Sequence, residues 1–134
     1  MKSQLLIYFL LALLWGCNPE TNTKKRPVNE KLIEVKKGIY SEWYPGKKQL
    51  KFHGAIDKKG NRNGKWVFYA ESGTELSITV YESGKKEGFS IVKHPNGTMH
   101  YRGEYRNDEM VGIWTTYDEK GKVISEKDYK FPNE

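Results

Sequence analysis

Gly64, Gly88 and Gly112 stand at a constant interval of 24 residues, and Gly73, Gly97 and Gly121 keep the same interval, as do Tyr81, Tyr105 and Tyr129. Three residue classes holding one period without an insertion mean that the chain stacks copies of one supersecondary unit. Such a unit cannot bury its own apolar side alone, so each copy depends on its neighbours for stability.

The copy from Gly64 to Glu87 shows what the unit is. Trp66, Val67, Phe68 and Tyr69 are strand formers, and Glu71, Ser72 and Gly73 supply a turn. Leu76 to Tyr81 is β-branched and aromatic again, and Glu82 to Glu87 leads through a second turn to Gly88. The pattern predicts strand, turn, strand, turn. In the following copies His94-Pro95-Asn96-Gly97 and Asp118 to Gly121 are the turns. A looser copy comes first, with Tyr44 set against Tyr69, Ile56 against Tyr81 and one extra residue within Lys58–Asn63. Lys48 takes the turn glycine's place there, and Ile39 that of the leading glycine.

Stacking is expected to bring equivalent residues into columns. Tyr44, Tyr69 and Tyr117 form one, interrupted by Lys93; Trp66 and Trp114 form another, interrupted by Ser90; Ile56, Tyr81, Tyr105 and Tyr129 form a third. Equivalent aromatics one above another would give cross-strand pairs of roughly 0.2–1 kcal/mol each. Only 37% of residues are hydrophobic while 30% are charged, which suits a thin core of broad rings. The fold class expected is all-β, an elongated single antiparallel sheet of about four stacked hairpins over residues 38–134. Ser90 and Lys93, where two columns lapse, are the candidate binding surface.

Ahead of this domain, Lys2 precedes an uncharged run from Leu5 to Trp15. As a helix the run would span roughly 16 Å, about half a hydrocarbon core. A short apolar run with a basic start and a small residue at its end reads as a secretory signal over residues 1–16. Leu14-Trp15-Gly16-Cys17 resembles the lipobox of bacterial lipoproteins, which implies that Cys17 becomes the acylated N-terminus. It is the only cysteine, so it has no intramolecular disulfide partner. The other reading is an incidental Cys behind an ordinary signal or an uncleaved anchor. Residues 17–37, with two prolines and the Lys24-Lys25-Arg26 cluster, read as a tether. The expected location is the cell envelope, lipid-anchored on the periplasmic side of the inner or outer membrane.

The sequence offers little to catalysis. His53, His94 and His100 fall short of the roughly four ligands of a structural zinc site. Glu71 and Glu75, and Asp108 with Glu109, fall on turns rather than in a buried pair. No nucleophile elbow or phosphate loop is present. No cofactor, metal or catalytic residue is therefore expected. The formal charge of +6 is too sparse for a dedicated nucleic-acid binder. Lysine doublets at Lys36-Lys37, Lys47-Lys48, Lys58-Lys59 and Lys85-Lys86 admit two readings: contact with anionic lipid headgroups, or solubilisation of turns and sheet edges.

The motif G-x-W-x-x-Y-x-x-x-G, followed by an alternating strand ending in Tyr, resembles MORN repeats, and most nearly the bacterial MORN-repeat-variant family. Gly64, Trp66, Tyr69 and Gly73 fit it fully, as do Gly112, Trp114, Tyr117 and Gly121; the middle copy departs at Ser90 and Lys93. The resemblance implies a twisted antiparallel sheet of successive hairpins. It also implies exported lipoproteins, in places labelled antitoxins. Together these readings give a membrane-anchored, non-catalytic module that binds a protein or envelope component through one sheet face, with an immunity or antitoxin protein as the alternative.

Overall fold

The computed structural model describes residues 31–131. The signal, Cys17 and most of the tether lie outside the described residues. Nine strands follow one another: β1 (Ile33–Lys36), β2 (Ile39–Trp43), β3 (Leu50–Ile56), β4 (Arg62–Tyr69), β5 (Glu75–Glu82), β6 (Lys85–Lys93), β7 (Met99–Arg106), β8 (Glu109–Tyr117) and β9 (Val123–Tyr129). They form one open antiparallel sheet in sequence order. β2 to β9 make the four expected hairpins, and β1 is an additional edge strand.

Two kinds of turn build the array. On one side of the sheet three of the four turns are two-residue turns, and the fourth, Asp57–Asn61, is of the longer kind found on the other side. Lys37-Gly38, Ser83-Gly84 and Asn107-Asp108 are two-residue turns in which both residues have positive φ, from 48° to 91°. That twist matches the right-handed twist of paired strands. On the opposite side the turns are longer. The Ala70 amide donates to the Thr74 carbonyl and the Gly73 amide to Ala70, and the same pair of bonds recurs at His94–Thr98 and Asp118–Lys122. Successive turns are also tied together, by the Asp108 amide on the Lys86 carbonyl at 3.0 Å and by the Asn96 side-chain amide on the Glu119 carbonyl at 3.1 Å.

Each leading glycine sits at an irregularity in the ladder. Gly54 pairs with Trp66 but Ala55 with Asn63, so Gly64 and Lys65 bulge out of register. The same happens at Gly88 and Gly112. Their φ values of 73°, 96° and 62° are in the left-handed region that glycine occupies without strain.

Several expected correspondences shift. The sheet begins at Ile33, not at Gly38, because Ile33–Lys36 pairs with Ile39–Glu42 and the Trp43 amide donates to the Leu32 carbonyl at 2.8 Å. In the first copy Gly38, with φ 76°, holds the leading-glycine place assigned to Ile39. Lys47, with φ 49° and its amide bonded to the Tyr44 carbonyl, holds the turn-glycine place assigned to Lys48. Trp43, paired with Leu50, is therefore the equivalent of Tyr69, paired with Glu75, and Tyr44 is the equivalent of Ala70. The offset is 26 residues before the first turn and 25 after it, so this copy carries two insertions, one in the turn after Lys47 and one within residues 57–63.

The columns also have a different meaning. Repeat equivalents are two strands apart, about 9.5 Å at the usual strand spacing, beyond ring contact unless the strand between them leaves room. Tyr40 is the equivalent of Trp66 at the offset of 26, and the two meet at 5.2 Å across Gly54. The other rings around the indoles belong to different columns: Tyr81 lies 6.4 Å from Trp66, and Tyr105 and Tyr129 lie 4.9 Å and 6.5 Å from Trp114.

Candidate functional site: two tryptophan slots and a cup

One row of paired residues crosses the sheet on a single face: Tyr40, Gly54, Trp66, Thr79, Ser90 and Gly103, followed on β8 by Trp114 and on β9 by Lys127. Its logic is steric. A Cβ added to Gly54 would stand 2.5 Å from the Trp66 indole, and one at Gly103 would come closer still to the Trp114 indole. Each indole lies across a strand at the one position where no side chain blocks it. The Trp66 Nε1–H donates to the Ala55 carbonyl at 2.7 Å and the Trp114 Nε1–H to the Glu104 carbonyl at 3.2 Å. Both indoles are buried.

In the middle of this row the pair changes together. Where tryptophan gives way to Ser90, the facing glycine gives way to Thr79, and the two hydroxyls bond at 3.0 Å. Ser90 is 3% exposed. The second candidate, Lys93, forms an ion pair with Glu75 at 3.0 Å. The lapse in the columns is thus filled and internally bonded on this face, while Ser90 also contributes to the lining of a trough on the other face.

The two slots differ in what surrounds the indole. At Trp66 the Phe52 and Phe68 rings stack at 4.8 Å, and the Arg62 guanidinium lies 4.4 Å from the indole centroid and 5.2 Å from that of Tyr81. A residual space of about 40 Å³ is left. The positions equivalent to Arg62, Phe52 and Phe68 at the second slot are Met110, Tyr101 and Thr116. With Ser125 opposite Thr116, they leave a cup of about 330 Å³ over Trp114, walled by Tyr101, Tyr105 and Tyr129, with Lys127 at its rim. The Lys127 ammonium is 4.6 Å from the Tyr129 centroid and that of Lys86 is 4.4 Å from the Tyr105 centroid. Burial pushes the Tyr101 phenol above its ordinary value, so it is a neutral donor at neutral pH.

The opposite face is different. A trough of about 490 Å³ runs between Phe89 and Ile113, with Arg102, Glu104, Thr115 and Glu126 along it. Phe89 is 46% exposed, Ile113 64% and Ile124 62%.

The remaining candidates have structural partners. His94 Nε2 is 3.0 Å from the Tyr117 carbonyl and its ring lies 4.4 Å from that of His100; His53 Nδ1 is 3.1 Å from the Ser41 hydroxyl. Among the described residues no three metal-ligating side chains come together. Several doublet lysines are engaged: Lys36 and Lys47 with Glu34, and Lys85 with the Asn107 side chain. Gly54, Gly103, Arg62, Met110, Thr116 and Ser125 were not singled out by the sequence reading, because none belongs to the repeated motif. A lone glycine inside a strand, which marks close approach of another group, was the available signal. No protein-family model, curated protein or solved structure matches this chain.

Proposed function

We propose that the protein is a non-catalytic binding module, held on the periplasmic side of a membrane by acyl chains on Cys17, that grips a protein or envelope component through the face opposite the tryptophans. The observation supporting this is the pair Phe89 and Ile113, large side chains left exposed along a trough containing charges of both signs. Exposed apolar side chains grouped beside ordered charges are what a docking surface requires. The resemblance to antitoxin-labelled repeats makes a neighbouring toxin the first partner to try. The charged trough supports this second reading equally.

The test is affinity capture of the full-length lipidated protein from its own membranes, with Phe89→Glu and Ile113→Glu compared against the parent. A partner lost from both variants but kept by Lys127→Met supports the docking face. A partner kept by all of them removes it. Membrane attachment is tested separately: Cys17→Ser is expected to leave the membrane fraction.

A further inference from the structure

The cup over Trp114 carries an inference independent of the docking face, since it opens on the other side of the sheet. Its counterpart at Trp66 shows that the same backbone slot can be closed by ordinary side chains. There two phenylalanines and an arginine leave about 40 Å³, whereas the second slot keeps about 330 Å³, the lower end of the range for ligand pockets.

The hydroxyls differ in the same direction. At the closed slot Tyr40 donates to Glu42 at 3.1 Å and Tyr81 accepts from Arg62 at 3.0 Å. At the open one the hydroxyls of Tyr101, Tyr105, Tyr129, Thr116 and Ser125 have no hydrogen-bond partner among the described residues. The cup therefore presents aromatic walls edged by free hydroxyls.

Charge narrows the ligand further. None of the residues lining the cup is acidic, and Lys127 lies at its rim with Lys86 against the Tyr105 ring. Aromatic walls alone would suit a quaternary ammonium, but two ammonium groups repel one. A six-membered sugar ring has an apolar C–H face that lies on an aromatic ring and hydroxyls around its edge that match those of the cup. A carboxylate on that ring would pair with Lys127 in a charge-assisted bond. We propose that the cup binds one pyranose ring bearing a carboxylate, a uronic acid type of sugar.

The test is a titration of the full-length protein in detergent micelles, followed by saturation-transfer NMR, with D-glucuronate, D-glucose and N-acetyl-L-phenylalanine as probes. Glucuronate is expected to bind saturably, with transfer strongest to its ring C–H protons, and glucose about tenfold more weakly, the scale of one charge-assisted hydrogen bond. Lys127→Met should reduce glucuronate to the glucose level without altering glucose. Thr116→Phe, which copies Phe68 of the closed slot, should weaken both sugars. Circular dichroism identifies a variant that has lost its fold, and the exposed Lys127 substitution keeps the test decisive if Thr116→Phe does not fold. No saturable glucuronate binding, or binding indifferent to Lys127→Met, would overturn the proposal. Tighter binding of N-acetylphenylalanine than of glucuronate would overturn it in favour of a peptide-end pocket.

Discussion

At Trp66 the indole lies across Gly54 beside the stacked rings of Phe52 and Phe68, with the Arg62 guanidinium over it. At Trp114 the indole lies across Gly103 among three tyrosines whose hydroxyls have no hydrogen-bond partner among the described residues. The slot is the same in both: a leading glycine at a bulge, a tryptophan two residues on, and a bare glycine on the preceding strand. What differs is contributed by residues outside the repeated motif. The repeat thus fixes where an aromatic cluster forms, while the variable positions around it decide whether the cluster is a closed piece of core or an open cup.

The largest expected effect comes from removing the indoles. Trp66→Ala should lower the unfolding free energy by about 4 kcal/mol and Trp114→Ala by about 3 kcal/mol, the range for deleting a buried aromatic. The inequality reflects the denser surroundings of Trp66. Urea denaturation followed by far-UV circular dichroism measures both. Equal losses would mean that the Phe52, Phe68 and Arg62 surroundings contribute nothing to holding the indole.

A second way to probe the comparison uses the seam between the slots. Gly103→Thr should cost about 3 kcal/mol by forcing the indole out of its place. Combining it with Trp114→Ser recreates the Thr79–Ser90 arrangement. The double variant is therefore expected to be less destabilised than the sum of the singles by about 2 kcal/mol. Additive losses in the same denaturation experiment would show that the two positions are not sterically linked.

Arg62→Met places at the closed slot the residue that the open slot has at Met110. Loss of the cation–π contacts and of the bond to Tyr81 should cost about 1 kcal/mol. The Trp66 environment should also become wetter, read as increased acrylamide quenching of tryptophan emission. A variant with unchanged stability and quenching would separate the closure of the slot from Arg62 and assign it to the phenylalanines alone.

The period of 24 made the hairpin order legible, because turn glycines and strand-forming residues repeat together from Gly64 to Tyr129. The first copy was harder to align. One of its insertions falls in the turn where Gly46 and Lys47 both take positive φ, so the turn's glycine stands one place ahead of the repeat's turn-glycine position, which Lys47 holds. β1 was hidden because Ile33 and Val35 are only two apolar positions in a charged stretch, and the strand is defined by pairing with β2. Lys93 and Ser90 stood out as breaks in a pattern; on the tryptophan face Thr79 bonds the Ser90 hydroxyl and Glu75 pairs with Lys93, while Ser90 also lines the trough on the other face. The cup was not legible for the converse reason. It is made by what Thr116 lacks in bulk beside its counterpart Phe68, since the facing residue is serine in both slots, Ser77 and Ser125, and Thr116 interrupts no motif.

The smallest expected effect separates the repeat from the strand added ahead of it. Both carboxylate oxygens of Glu34 on β1 are engaged, one with Lys47 in the β2–β3 turn at 2.6 Å and the other with Lys36 at 2.9 Å. Hydrogen bonds from these ammonium groups, Lys47 first, lower the Glu34 pKa from 4.5 to about 2. Because the folded value lies below the ordinary one, the stabilisation is fully present above about pH 4.5 and is lost as pH falls through about 2. Hydrogen exchange, expressed as protection factors, should therefore show the Trp43 amide, which donates to the Leu32 carbonyl, losing protection over that window while amides of β8 keep theirs. Glu42, whose carboxyl is also held below the usual range by Lys51, has its ion-pair partner on β3. Glu34→Gln should make Trp43 protection independent of pH over the window without changing the response of β3. A pH response at Trp43 that survives Glu34→Gln would mean that β1 is held by its backbone ladder alone, with no contribution from the clamp onto Lys47.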